Sequence, residues 1–190
     1  MLQRLKTRGK LLAAGAALVA LGTLIGRAQQ DSADSPFATP TIDIGMCVSD
    51  AEKSLAFYKD ALGFREAPSF DVPAQFSTDT GLSNNLPLHV HVLTLGEGPG
   101  ATKLKLIQTR TSPGARVDQS FIHSTYGIRY LTIVVKDVNA AVKHAAEHGA
   151  KPIAKCPQPL PAGFPEGLAL ANFRDPDGNL IELVGPWKKP

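Results

Sequence analysis

The chain has 190 residues, with 20 basic and 17 acidic side chains and two cysteines. Five of the basic groups and none of the acidic ones fall within residues 1–28, so the rest of the chain carries fifteen basic against seventeen acidic groups, a net of −2. No basic stripe with interleaved aromatics remains, which argues against nucleic acid as a partner, and no Cys-x-x-Cys or Cys/His cluster marks a structural zinc.

Arg4, Lys6, Arg8 and Lys10 precede an apolar run from Leu11 to Ile25, and Gly26-Arg27-Ala28 then supplies small residues where a signal peptidase cuts. That order predicts a signal peptide over residues 1–28 and an exported protein, periplasmic or extracellular, whose first mature residue is Gln29. The apolar run is shorter than the ~20 residues of a bilayer span, so no stable membrane span is expected after cleavage. No Cys follows the cleavage position and no twin-Arg pair precedes the run, which favours the general export route over a lipoprotein. Residues 29–40 are polar with two prolines and read as a disordered leader. The ~150 residues left suffice for one domain with its own core.

In Ile42–Val48 apolar and polar residues alternate, predicting a strand with one buried face. Ser49 with Glu52 reads as a capping box opening a helix whose inner stripe is Leu55, Tyr58 and Leu62 and whose end is Gly63. Strands are predicted over 64–72, 88–95 and 103–109, with a loop or short helical turn between 73 and 87 and a hairpin turn at 96–100. A connector covers 111–127. The second half repeats the order: a strand at 129–135, a helix from Val138 capped by Asp137, a strand around 151–156, a Pro-rich loop 157–166, a strand at 167–173, a turn at Asp175-Pro176-Asp177-Gly178, and a strand at 179–185. Such an internal repeat predicts an α+β fold of two βαβββ modules, spanning 41–110 and 128–187, with mixed sheets enclosing a concave cleft and helices outside. His144 and His148 share one helix face with Lys143 and Glu147 and read as solvated surface. Cys47 and Cys156, one per module, would be permitted a disulfide in an oxidising compartment, but single cysteines of this kind are more often unpaired core residues.

Val48-Ser49-Asp50 through Phe57-Tyr58-Lys59-Asp60-Ala61-Leu62-Gly63-Phe64, together with Asp175-Pro176-Asp177-Gly178-Asn179-Leu180-Ile181-Glu182-Leu183, resembles the vicinal oxygen chelate superfamily. Its members include glyoxalase I, extradiol dioxygenases and bleomycin-resistance binding proteins. The resemblance covers 41–187 and implies a divalent metal held by His, Glu or Gln side chains from the first and last strand of each module. Aligning the helix caps and the last strands places those positions at Asp43, Lys105, Tyr130 and Glu182. An ammonium has no lone pair, and a phenol with a pKa near ~10 is a poor ligand at neutral pH, so the usual metal site reads as degenerate.

Strand parity gives a face assignment that does not depend on the resemblance. Taking Ile42 and Ile44, Val90 and Val92, Leu104 and Leu106, Leu131 and Ile133, and Ile181 and Leu183 as the helix-packed face sends Asp43, His89, His91, Lys105, Tyr130 and Glu182 to the cleft. Those six are the expected ligand-pocket residues. Asp43 with Lys105 and Tyr130 with Glu182 are expected to pair; for His89 and His91 the competing reading is a solvated sheet edge. The expected function is an exported, glyoxalase- and bleomycin-resistance-like protein that binds a small molecule in the cleft, with no cofactor and no metal, and with a homodimer compatible. The alternative is a lyase, isomerase or dioxygenase of the same superfamily. It would use Glu182 as a general base, or a divalent metal on an altered set such as Asp43, His91 and Glu182. An envelope module that binds a partner is the third reading.

Overall fold

The computed structural model describes Pro36, Ala38, Thr39 and residues 41–188. The expected signal peptide and most of the expected leader lie outside these residues. Module one begins with strand β1 (Asp43–Cys47), in which the predicted alternation is realised. Helix α1 (Ala51–Ala56) follows and widens into a π-helical turn over Phe57–Ala61. Its cap is Asp50, whose side chain accepts from Lys53 N at 3.1 Å, and not Ser49. The Ser49 hydroxyl instead accepts from Arg116 Nη2 at 3.3 Å, while its amide donates to Asp177 Oδ2 and its carbonyl accepts from Gln108 Nε2, both at 2.9 Å. Gly63, at φ +77°, turns the chain out of the helix where a side chain would be strained. Then come β2 (Arg65–Val72), a short helix α2 (Ala74–Asp79), β3 (Leu88–Leu95) and β4 (Thr102–Ile107).

Module two is built from β5 (Tyr130–Val134), α3 (Val138–Glu147), β6 (Gln158–Pro159), β7 (Leu168–Arg174) and β8 (Leu180–Pro186). Asp137 caps α3, accepting from Ala140 N at 3.1 Å. The strand expected around 151–156 does not form. Pro152 and Pro157 remove ladder donors there, leaving one bridge from Pro152 to Phe173 and the two-residue β6 inside the stretch read as loop.

The two four-stranded sheets have matching orders, β1-β4-β3-β2 and β5-β8-β7-β6. In each, the first and last strands of the module pair in parallel and the remaining pairs are antiparallel. One core runs through both modules, joining Tyr58, Leu104 and Leu106 to Val138, Phe173 and Ile181. The helices therefore lie on one side of the paired sheets, and the opposite side is left open. The edges of β1 and β5 meet along a depression of about 190 Å³ lined by residues 44–47 and 128–131.

The modules are also joined by a buried polar latch. Asp175, 5% exposed, accepts from Asp177 N and Asn179 N through Oδ1, and from Asn179 Nδ2 and the Tyr58 hydroxyl through Oδ2, at 2.7–3.0 Å. Burial first, and the Asp175 carboxylate second, push the Tyr58 phenol far above its ordinary pKa, so it remains a donor at any pH the fold meets.

Candidate functional site on the open face

Register fixes which side chains reach the open face. Asp43 lies opposite Lys103 and Gly45 opposite Lys105, so all four share a face, while Ile44 and Met46 pair with Leu104 and Leu106 on the core side. In module two Tyr130 pairs with Leu180, Thr132 with Glu182 and Val134 with Val184. Asn172 sits opposite Glu182 on the neighbouring β7. The open face thus brings Asp43, Lys105, Tyr130 and Glu182 to the sides on which the sequence put them.

His89 and His91 are not with them. Register pairs His91 with Leu106 and Val92 with Lys105, so the imidazoles face the helix side and the valines face the open side. The expected parity of β3 is inverted. Leu93, with no exposure, occupies the core face in its place, and Val90 and Val92 join Leu88 in a second cluster against Ala67 and Ile107. An altered metal set of Asp43, His91 and Glu182 therefore has no common face to assemble on.

The polar pairs differ in part from expectation. Asp43 Oδ2 lies 2.8 Å from Lys105 Nζ, each side chain about one third exposed. That hydrogen bond is the largest of the effects that hold Asp43 below the usual carboxylate range, with Lys103 adding to it. Because the folded value is the lower one, the pair's support is present above the ordinary carboxylate pKa and is lost as the pH falls through the lowered value. Glu182, however, pairs with Thr132, whose hydroxyl donates to Oε1 at 3.0 Å, and not with Tyr130. Tyr130 remains 48% exposed. On the strand beside Glu182 the Asn172 Oδ1 is buried with no hydrogen-bond partner among the described residues.

Thr132, Asn172 and Lys103 are site residues that sequence reasoning missed. Counting in twos from Tyr130 and back from Lys105 would have found Thr132 and Lys103. Asn172 needed the β7–β8 register. Cys47, expected as a core residue, is exposed on the open face, and both thiols are free. Cys156 packs on the core, where burial raises its pKa.

Paired βαβββ modules whose first and last strands pair in parallel define an α+β scaffold of the glyoxalase type. Residues 42–183 match the Glyoxalase/Bleomycin resistance protein/Dioxygenase superfamily, and the chain belongs to that family. Among solved structures it is similar to a glyoxalase family protein from Bacillus cereus at 17% identity and a TM-score of 0.63, over 83% of this chain and 99% of that one. Glyoxalase I from Zea mays matches at 18% identity and a TM-score of 0.57, over 79% of this chain but only 46% of the maize chain. A glyoxalase family protein from Enterococcus faecalis matches at 19% and 0.53, over 76% of this chain and 94% of that one. At such identities the likeness is one of fold. No protein of curated function matches the chain.

The donor chemistry at the family's four metal positions does not fit a divalent cation. Lys105 offers donors where a lone pair is needed, and its ammonium occupies the neighbouring Asp43 carboxylate. Tyr130 offers a phenol, which leaves Glu182 as the remaining carboxylate. A second cation beside Lys105 would also be repelled. Among the described residues no group of three or more His, Cys, Asp or Glu side chains is arranged to hold a metal.

Proposed function

We propose that the protein is an exported binding protein that holds a small polar molecule on the open face between its modules, without a divalent metal there. The observation that carries the reading is the Asp43–Lys105 ion pair at 2.8 Å, in which two family ligand positions satisfy each other. Lys105 shares its face with the apolar Val90, Val92 and Ile107, and a few polar groups among apolar side chains are the usual composition of a small-molecule site. Lys103 and Lys105 against Asp43 leave excess positive charge on module one, suited to an acidic group of the ligand. The Glu182 carboxylate on module two suits its hydrogen-bond donors.

Elemental analysis of untagged protein, purified without chelator, tests this. The expected result is that no metal is present whose occupancy depends on Glu182. Near-stoichiometric Zn, Fe, Mn or Ni that disappears in Glu182→Ala would overturn the reading in favour of a metal-dependent lyase, isomerase or dioxygenase.

Export rests on the basic, apolar, small-residue order of residues 1–28. N-terminal sequencing of natively produced protein should find a first residue at or near Gln29, and retention of Met1 would refute it.

A further inference from the structure

The helix side of module one carries a cleft of about 640 Å³ that the open-face reading does not use. It lies between α1 and the β2–β3 edge, and His89, His91, Asp71 and Glu52 line it. The two histidines are two residues apart on β3 and so project to one face. Their ring centroids are 4.6 Å apart, edge to face. His89 Nδ1 lies 2.7 Å from Asp71 Oδ1. A carboxylate on one ring nitrogen keeps the proton there and turns the lone pair of the other outward, the arrangement that orients metal-bound imidazoles. In that tautomer His89 would offer Nε2 as the ligating nitrogen.

We propose that His89 and His91 form a two-imidazole site for one divalent cation of the zinc, nickel or copper class, separate from the open face. Imidazole suits these ions, whereas calcium and magnesium prefer an all-oxygen shell. His91 lines the same cleft and its ring lies against that of His89, so the two imidazoles are already side by side. Glu52 on the cleft wall and Glu66, whose charge His91 feels, favour a cation. Two protein ligands leave coordination positions for water or for a small oxygen-donor molecule, and Arg110 in the same cleft would meet the negative end of such a molecule. The proposal stands apart from the reading of the open face, because it involves none of that face's side chains.

The test is titration of untagged full-length protein with zinc, nickel and copper chlorides by equilibrium dialysis. One cation per chain is expected, bound more tightly than ~100 μM. His89→Gln and His91→Gln should each weaken binding by more than ~100-fold, and Asp71→Asn by ~10–100-fold, as for outer-shell partners. Asp43→Ala and Glu182→Ala should leave it unchanged. Copper-loaded protein should show electron paramagnetic resonance coupling to two nitrogens, a signature that a loss of folding would not imitate. Binding weaker than ~100 μM, binding that survives both histidine substitutions, or binding lost in Glu182→Ala would overturn the proposal.

Discussion

Asp175→Ala is expected to lower stability by roughly 3–5 kcal/mol, the range of a broken buried network. The substitution strips acceptors from the Tyr58 hydroxyl, two backbone amides and the Asn179 amide together. Each buried donor left unsatisfied costs about 1–3 kcal/mol, and partial hydration of the turn offsets some of the sum. For a domain of this size the melting temperature should fall by about 10 °C or more. Tyr58→Phe removes only one of the four donors and should cost about 1–2 kcal/mol. The double variant should then be close to Asp175→Ala alone, because the phenol has no further acceptor to lose except the distant Met46 sulfur at 3.8 Å. A melting temperature within ~3 °C of wild type for Asp175→Ala would show that the latch is not a determinant of stability.

Lys105→Glu is expected to convert the module-one half of the open face from cation-repelling to cation-binding. It reverses the charge 2.8 Å from Asp43 and sets two carboxylates side by side. Without metal the variant should be less stable than wild type, since like charges at that distance repel. With Mn²⁺ or Zn²⁺ the lost stability should return, and affinity should exceed wild type by at least ~10-fold, the lower end of what a reversed charge contributes near water. The measurement belongs in a His89→Gln/His91→Gln background, so that cations on the helix side of module one do not contribute. A variant whose melting temperature does not respond to metal would show that the lysine is not what keeps cations from this face.

Periodicity placed most of the open face correctly and failed on one strand, and the difference is physical. In β1 and β4 the core-facing phase is apolar and the other is held by Asp43, Gly45, Lys103 and Lys105, and in β5 and β8 a central Thr132 or Glu182 marks the phase that stays out of the core, so one face is committed to it. β3 has large apolar residues in both phases: Val90 and Val92 in one, Leu93 and Leu95 in the other. Either phase could have been buried, and the outcome was set by Leu93 packing on Leu104 while the valines found Ile107 and Ala67 on the open side. The misplaced β6 has a similar origin. Nothing in residues 151–159 alternates strongly, so β7 alone decides where that short stretch pairs. The Glu182–Thr132 contact lay beyond sequence reasoning because Tyr130 and Thr132 share a face, and the β5–β8 register, which sets Thr132 directly opposite Glu182, selects between them.

The latch has a consequence for the symmetry of the molecule. Counted along the sequence from the helix caps Asp50 and Asp137, Ala145 corresponds to Tyr58, and counted from Lys105 and Glu182 in the last strands, Gly98 corresponds to Asp175. A duplicated fold could hold two such crosslinks related by its internal twofold, and among the described residues there is one. Module two keeps three of the four donors to Asp175 within its own turn, whereas the phenol of module one depends on an acceptor from the other half. The halves are therefore unequal in autonomy: the second carries a self-sufficient corner, and the first is completed only by its sibling.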